Sequence, residues 1–490
     1  MRPVHRRAVH IVSWLILAAV AGCAVGPDYH RPSTVVPPAW QPQAPWHEAV
    51  PSDAALKGNW WELFHDPTLG PLVDQALRGN QNLRVAAARL EQARSQVTVA
   101  KSYLYPNVDL QASAARAKIS ANRPLSAYNV PNQQTVQNDF ELGPTVSYEL
   151  DLFGRVRREV EGYRAAAEQA AADFENTRLM LTTQLVSDYF TLRELDSEID
   201  VVTHSLGLER DALTFIASRH DLGFATGLDL AQQQALVQSS AAQLELLQVQ
   251  RAQNEHAIAT LVGAPAPSFA IAPVVTPGNL PKFPVGLPSD LLQRRPDVAS
   301  AERAMAAANA RIGVARAAYF PTIQLAPAVP GFGWESSAVS TLFNAPSQLW
   351  SVGLSATQTL FDAGRTRANV HIAEEDYIAA VAAYRQTVLS AMEEVENGIT
   401  GLESLDRAAR QANASVESAQ RAFDIATDRY KGGVAIYLDV LTAQQTLLGN
   451  QRQAVQIHGQ QFLTAVYLVK ALGGGWERVS MATEGEKAFD

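Results

Sequence analysis

The 490-residue chain is 47% hydrophobic and 18% charged, an ordinary balance for a folded protein that excludes bulk disorder. Its formal charge of −9 excludes the basic footprint that a nucleic-acid binder carries. The length would hold two or three ordinary domains, but the order of elements reads as one unit present twice.

Residues 1–22 carry Arg2, Arg6 and Arg7, no acid, and an apolar run over 11–20. That is the pattern of an export signal, and the run is too short to span a membrane as a helix. The ending Val20-Ala21-Gly22-Cys23 resembles a bacterial lipobox, in which cleavage leaves Cys23 as the lipidated first residue. A plain signal peptide with an incidental cysteine is the alternative. Ala24, rather than Asp, follows; by resemblance to bacterial lipoproteins this favours sorting to the outer membrane. Cys23 is the single cysteine, so no disulfide is available to the mature chain.

An arm over 23–67 follows, and its prolines between 27 and 51 exclude a helix interior or a central strand. The cluster Trp60-Trp61-Glu62-Leu63-Phe64 reads as the point where this arm docks. Residues 68–263 form the first repeat. Leu69, Leu72, Val73, Ala76 and Leu77 mark a short amphipathic helix stopped at Gly79-Asn80, and a longer helix runs over about 82–103. Strict alternation at 107–114 predicts a strand, and 116–138 reads as a loop. Alternation returns at 140–152, with Phe140, Leu142, Val146, Tyr148 and Leu150 on one face and Glu141, Glu149 and Asp151 on the other. After Gly154 the period changes to a heptad-like seam that continues to Arg219. A turn holding Gly223 and Gly227 leads into a return helix over 228–262.

The proline-rich stretch 264–288 reads as a linker between halves. Residues 289–475 repeat the first half with an offset near 210, and 476–490 form a tail. Tyr105-Pro106 matches Phe320-Pro321; Leu152-Phe153-Gly154-Arg155 matches Leu360-Phe361-Asp362-Ala363-Gly364-Arg365. Arg219, Gly223 and Asp229 match Arg429, Gly433 and Asp439. The second pair of strands is expected at about 322–329 and 350–361, with Pro144 and Pro327 marking bends.

This order has geometric consequences. A helix of about 65 residues extends roughly 95–100 Å at 1.5 Å per residue. Each return helix is about half as long and can cover it only by stacking end to end with the helix that opens its repeat. The strands have the length that crosses an outer membrane at a tilt, yet four cannot close a barrel, and an open edge in lipid leaves backbone groups unsatisfied. Membrane strands therefore require several chains. Two chains give eight strands around a filled interior; three give twelve and room for a lumen. A soluble sheet with one wet face would carry the same alternation.

The chain resembles the TolC family of outer-membrane efflux proteins, in its lipidated OprM/NodT-type branch. The matching residues are Gly22-Cys23-Ala24-Val25-Gly26-Pro27-Asp28-Tyr29, Trp60-Trp61-Glu62-Leu63-Phe64, Tyr105-Pro106, Leu152-Phe153-Gly154-Arg155, the 360–365 motif, and Arg429-Tyr430 through Gly433 to Leu438-Asp439-Val440-Leu441. The resemblance implies a membrane β-barrel fused to a long α-helical coiled-coil barrel, internally duplicated, as a trimer with four strands per chain and twelve in the barrel. It implies a passive conduit without enzymatic chemistry or cofactor, partnered by a periplasmic adaptor and an inner-membrane pump of RND type. It places Glu141, Glu149 and Asp151 toward the lumen. Leu222, Gly223, Phe224, Gly433 and Val434 become adaptor-docking tips, and Asp439, Tyr430, Arg429 and Arg219 a periplasmic aperture. Thr442 stands where the family often has a second aspartate, so a double acidic ring is not expected.

Bland readings stand beside these. Gly223 and Gly433 suit any tight turn. Thr226-x-x-Asp229 fits a capping box, and Asp439 can compensate a helix dipole. No zinc-protease, phosphate-loop or nucleophile-elbow motif is present, and histidines are scattered without metal-ligand spacing. The expected function is the outer-membrane channel of a tripartite efflux pump for drugs or other small toxic compounds. A type I secretion or metal-efflux conduit is the alternative within the class, and a lipid-anchored periplasmic coiled-coil scaffold the alternative outside it.

Overall fold

The computed structural model describes residues 24–32, 59–120, 135–275, 280–281, 295–325 and 332–474. The export signal, Cys23, most of the linker and the tail lie outside the described residues. In chain order the helices and strands are α1 (Leu69–Gly79), α2 (Gln81–Ser102), β1 (Asn107–Ile119), β2 (Thr135–Leu150), α3 (Arg155–Asp221), α4 (Gly227–Val262), α5 (Pro296–Ala317), β3 (Thr322–Leu325), β4 (Phe332–Ser336), β5 (Gln348–Trp350), β6 (Leu354–Thr357), α6 (Arg365–Lys431) and α7 (Tyr437–Ala471). The backbone falls into two compact units that share the long helices. One holds residues up to 32, 90–170 and 301–384; the other holds 33–89, 171–300 and 385 onward.

The first unit carries every described strand. β1 and β2 form one long antiparallel hairpin in continuous register from Asn107↔Ser147 to Ile119↔Thr135. The other edge of β2 pairs with β4 at 140–142 and with β3 at 148–150. β5 then pairs with β4, and β6 with β3. The six strands therefore trace four paths across the sheet: β5 with β6, β3 with β4, β2, and β1.

Three expectations are corrected here. The hairpin extends into both ends of the stretch read as a loop, because residues 116–119 and 135–138 still pair across it. The strand read at 350–361 is split into β5 and β6, with 351–353 in neither. The bend expected at Pro327 lies outside the described residues. β6 also stops at Thr357 rather than 361. Thr357 pairs with Thr322, the first residue of β3, and Pro321 before it has no N–H for another rung.

β2 ends at Leu150, one residue before Asp151. Asp151 leaves the strand because the start of α3 engages it: its carboxylate accepts the backbone N–H of Arg157 at 2.9 Å. Asp362 does the same for α6, accepting the N–H of Thr366 at 2.9 Å and that of Gly364 at 3.1 Å. These bonds, with the Thr366 hydroxyl foremost, hold the Asp362 carboxyl below the usual carboxylate range. Each change from strand to long helix is thus fixed by one aspartate meeting orphan N–H groups at a helix N-terminus.

Residues 24–32 pack within the same unit. Asp28 bridges Arg158 at 2.7 Å, and Arg31 donates to the Tyr384 hydroxyl at 2.9 Å. Tyr29 rests on Ala165, Ala306 and Ala307, where small side chains admit the arm.

The second unit is helical. Trp60, Trp61 and Phe64 lie in its main core with Leu185, Tyr189, Phe190, Phe462, Val466 and Val469. The aromatic cluster is therefore the arm's anchor in this unit. Asn80 accepts the N–H of Leu83 at the start of α2 while donating to Leu261 O near the end of α4. Arg295, just before α5, donates to Ala471 O at the end of α7. Each return helix meets the opening helix of its own repeat end to end, and the orphan carbonyls of one are satisfied beside the other. Among the described residues no helix is long and apolar enough to cross a membrane.

Candidate functional site: the paired hairpin turns

α3 and α4 form one helical hairpin, α6 and α7 the other, and both turns lie in the helical unit. The two turns use one backbone device. Gly223 takes φ +77° and Gly433 φ +75°, a left-handed conformation that glycine adopts without a Cβ penalty. In the first turn Gly223 N–H donates to His220 O, and Phe224 N–H reaches back to Arg219 O at 2.7 Å. In the second, Gly433 N–H donates to Tyr430 O and Val434 N–H to Arg429 O at 3.0 Å. The reversed bonds satisfy the last helical carbonyls and end each long helix sharply. Apolar side chains are left outward: Leu222 and Phe224 are each 72% exposed and Val434 68%.

The turns differ where the return helices begin. Thr226 and Asp229 form a complete capping box: Asp229 N–H donates to Thr226 Oγ1 at 3.1 Å, and Thr226 N–H to Asp229 Oδ2 at 3.0 Å. Ile436 occupies the matching N-cap and offers no side-chain bond. Asp439 is consequently exposed in the first turn of α7, without a side-chain partner among the described residues.

A joint holds the two hairpins together. Ile216, Leu236, Tyr437, Val440 and Leu441 form its buried centre, with Tyr430 at the margin. The Arg219 guanidinium lies 5.3 Å from the Tyr430 ring centre and 5.7 Å from that of Phe215. Among the described residues Arg219 makes no ion pair, and its Nε is buried without a partner. Tyr430 stands 5.1 Å from Tyr437, and burial raises its phenol above the usual range. Tyr437 Oη donates to Gln233 Oε1 at 2.7 Å, and Gln233 Nε2 donates to Glu209 O at 2.7 Å. Gln233 is fully buried, so this chain ties α3, α4 and α7 inside the joint. Arg429 is exposed in the last turn of α6.

Arg219 and Tyr430 thus meet at the joint, Gly223 and Gly433 stay in the turns with open space around them, and Arg429 and Asp439 are exposed. Tyr437 and Gln233 are the residues that sequence reading missed. The available signal was a break in the repeat: Tyr437 stands where the first copy has Gly227. In the strand unit, Glu149 is engaged by Arg155 through two bonds of 2.8 and 2.7 Å. Glu141 accepts from Ser113 Oγ at 3.3 Å and lies opposite Glu335 in the register. No group of His, Cys, Asp and Glu able to hold a metal ion occurs among the described residues.

A duplicated strand-to-helix unit with paired hairpin turns defines a class of protein, and comparison with known proteins specifies it. The family model for outer membrane efflux proteins matches residues 72–264 and 287–474. The chain is 32% identical over 483 residues to the toluene efflux pump outer membrane protein TtgF of Pseudomonas putida, covering 96% of this chain and 98% of that protein. It superposes on a membrane protein from Pseudomonas aeruginosa with a TM-score of 0.85 at 30% identity, covering 94% of this chain and all of that one. The open-state MtrE outer membrane channel of Neisseria gonorrhoeae gives 0.80 at 29% identity, over 93% of this chain and 99% of that one. The chain belongs to the outer membrane efflux protein family. It is an outer-membrane export component with the fold of these channels, in a family of channels rather than enzymes.

Proposed function

We propose that the chain is the channel subunit of a tripartite efflux pump, a homotrimer whose twelve strands close one barrel. It receives cargo from an inner-membrane pump of RND type through a periplasmic adaptor, and Cys23 carries the lipid anchor. The cargo class is small apolar or amphiphilic toxic compounds, as the name of the toluene pump relative supports. The observation that carries the reading is the pair of hairpin turns, which leave Leu222, Phe224 and Val434 exposed beside sharply ended helices. Apolar turns of this kind fit helical hairpins of an adaptor.

In this reading the paired turns form the periplasmic aperture. Arg219, Tyr430 and Arg429 line its joints, and three copies of Asp439 stand near the axis, favouring cations over anions. Glu141 and Glu149 give the barrel lumen an acidic wall. The test is dye accumulation in cells that hold the pump and adaptor but lack their own channel. Expressing this chain lowers steady-state accumulation of a lipophilic dye several-fold, and Leu222→Asp with Val434→Asp abolishes the effect while the protein still reaches the outer membrane. Unchanged accumulation with the unaltered chain would overturn the proposal.

A further inference from the structure

A cavity of about 270 Å³ lies within the helical unit between α3 and α7, with Val275 and Asn413 completing its lining. One wall is an aromatic stack. The Phe190 and Phe462 ring centres are 4.6 Å apart, and His458 lies flat on Phe462 at 5.3 Å. Glu194 lines the cavity from α3 and is half-buried. Its carboxylate sits over Gly459 of α7, where any Cβ would collide with Glu194 Oε2. Glycine weakens a helix interior, so its place here has a local cause: α7 leaves room for the carboxylate.

That carboxylate has no hydrogen-bond or ion-pair partner among the described residues. The cations around it are engaged elsewhere. Arg193 donates to Asp196 and to Ala272 O at 2.8 Å each, and Arg452 bridges Glu198 at 2.7 Å. Burial, with Glu198 beside it, raises the Glu194 carboxyl to about 7. Asp200 on the same lining is exposed, so the cavity reaches solvent beside a second negative charge. His458 Nδ1 is also buried without a partner. A half-buried charge left unpaired costs free energy that a matching cation relieves. The internal duplication shows that the helices do not need this arrangement. By the offset of about 210 between the copies, Glu194, Gly459 and Phe462 correspond to Ser404, Val249 and Ala252. The matching helices are thus built without the carboxylate, the gap or the ring.

We infer that this cavity binds a small amphiphilic organic cation, with Glu194 as its counter-ion and the stack of Phe190, Phe462 and His458 as its apolar wall. An ammonium group supplies the N–H donors and the positive charge that Glu194 lacks. A ring or short alkyl body on that ammonium lies against the aromatic wall, and both leave water. The volume selects for size. Pockets for drug-sized molecules run from about 300 to 1,000 Å³, so this cavity suits an arylalkylamine better than a larger compound. A neutral analogue of the same shape leaves the carboxylate unpaired, and an anionic one is repelled by it. The lining spans α3 and α7, so a bound ligand holds these helices together and stabilises the folded unit by mass action. The site is separate from the hairpin turns and does not depend on their role as an aperture.

The experiment titrates 2-phenylethylamine into the detergent-purified full chain at about pH 8, where the Glu194 carboxyl is mostly ionised, and follows heat and Tm. Saturable binding and a raised Tm are expected for the unaltered chain. 2-Phenylethanol, the neutral analogue of the same shape, and phenylacetate, the anionic one, are expected to bind at least tenfold more weakly; this comparison needs no substitution. Glu194→Gln keeps the shape of the side chain and removes a charge that has no partner, so the variant is expected to fold. Its affinity for the amine is expected to fall at least tenfold, to the level of the alcohol. Amine binding unchanged by Glu194→Gln, equal binding of amine and alcohol by the unaltered chain, or no saturable binding of the amine overturns the site. Dye accumulation tests the channel separately, so either proposal can fail without the other.

Discussion

The two hairpin turns carry the same backbone and different side chains, and the contrast separates what ends a helix from what frees a carboxylate. Both long helices stop at a left-handed glycine with paired reversed hydrogen bonds. Only the first return helix has its N-terminus closed by side chains, through Thr226 and Asp229. Ile436 in place of Thr226 leaves Asp439 in the same helical turn with nothing to bind. One residue difference converts a structural aspartate into an available one.

The largest effect is expected at the joint between the turns. Tyr437→Ala removes a buried ring and strands the fully buried Gln233, for a loss of about 3–5 kcal/mol. Tyr437→Phe keeps the ring and loses only the hydroxyl, for about 1–3 kcal/mol. Thermal or denaturant unfolding of the purified protein measures both; an unchanged stability of Tyr437→Phe would show that the hydrogen bond to Gln233 contributes nothing, and equal losses would show that the ring contributes nothing beyond its hydroxyl.

Next come the glycines. An added Cβ at Gly223 or Gly433 meets nothing within 4 Å, so any penalty arises from backbone conformation alone. Gly223→Ala and Gly433→Ala should each lose about 1–2 kcal/mol, and by similar amounts. A marked inequality would break the equivalence of the two turns.

The caps sharpen the contrast further. Thr226→Ala should lose about 1 kcal/mol by opening the box. Ile436→Thr should gain up to about 1 kcal/mol by giving Asp439 the partner that Asp229 already has. If Asp439 shapes ion flow, the same substitution lowers cation selectivity of the reconstituted channel. Asp439→Asn should leave stability unchanged and reduce that selectivity, whereas Asp229→Asn should do the reverse. Identical results from the two aspartates would remove the distinction drawn between them.

Much of this was legible because it is local. The switch from period two to a heptad-like seam at Gly154 located the start of α3, and Gly223, Gly433 and Thr226-x-x-Asp229 located the turns. Strand ends were less legible. A strand stops where its neighbour stops, and the limit of β6 at Thr357 is imposed by Pro321 some 36 residues earlier in the chain. Asp151 read as one more polar strand residue because alternation cannot report that a helix N-terminus will claim it.

By itself, then, the sequence determined the duplicated order of strands and helices, since hydrophobic period and turn chemistry act over a few residues. It also determined the need for further chains, because four strands cannot close. Only the tertiary structure decided which groups meet: Tyr437 with Gln233, Arg219 over Tyr430, and Asn80 on Leu261 O. These contacts depend on how helices far apart in sequence are set side by side, which no local pattern encodes. The same dependence leaves Leu360 and Phe361 bare in one chain, although their counterparts in the first copy are covered.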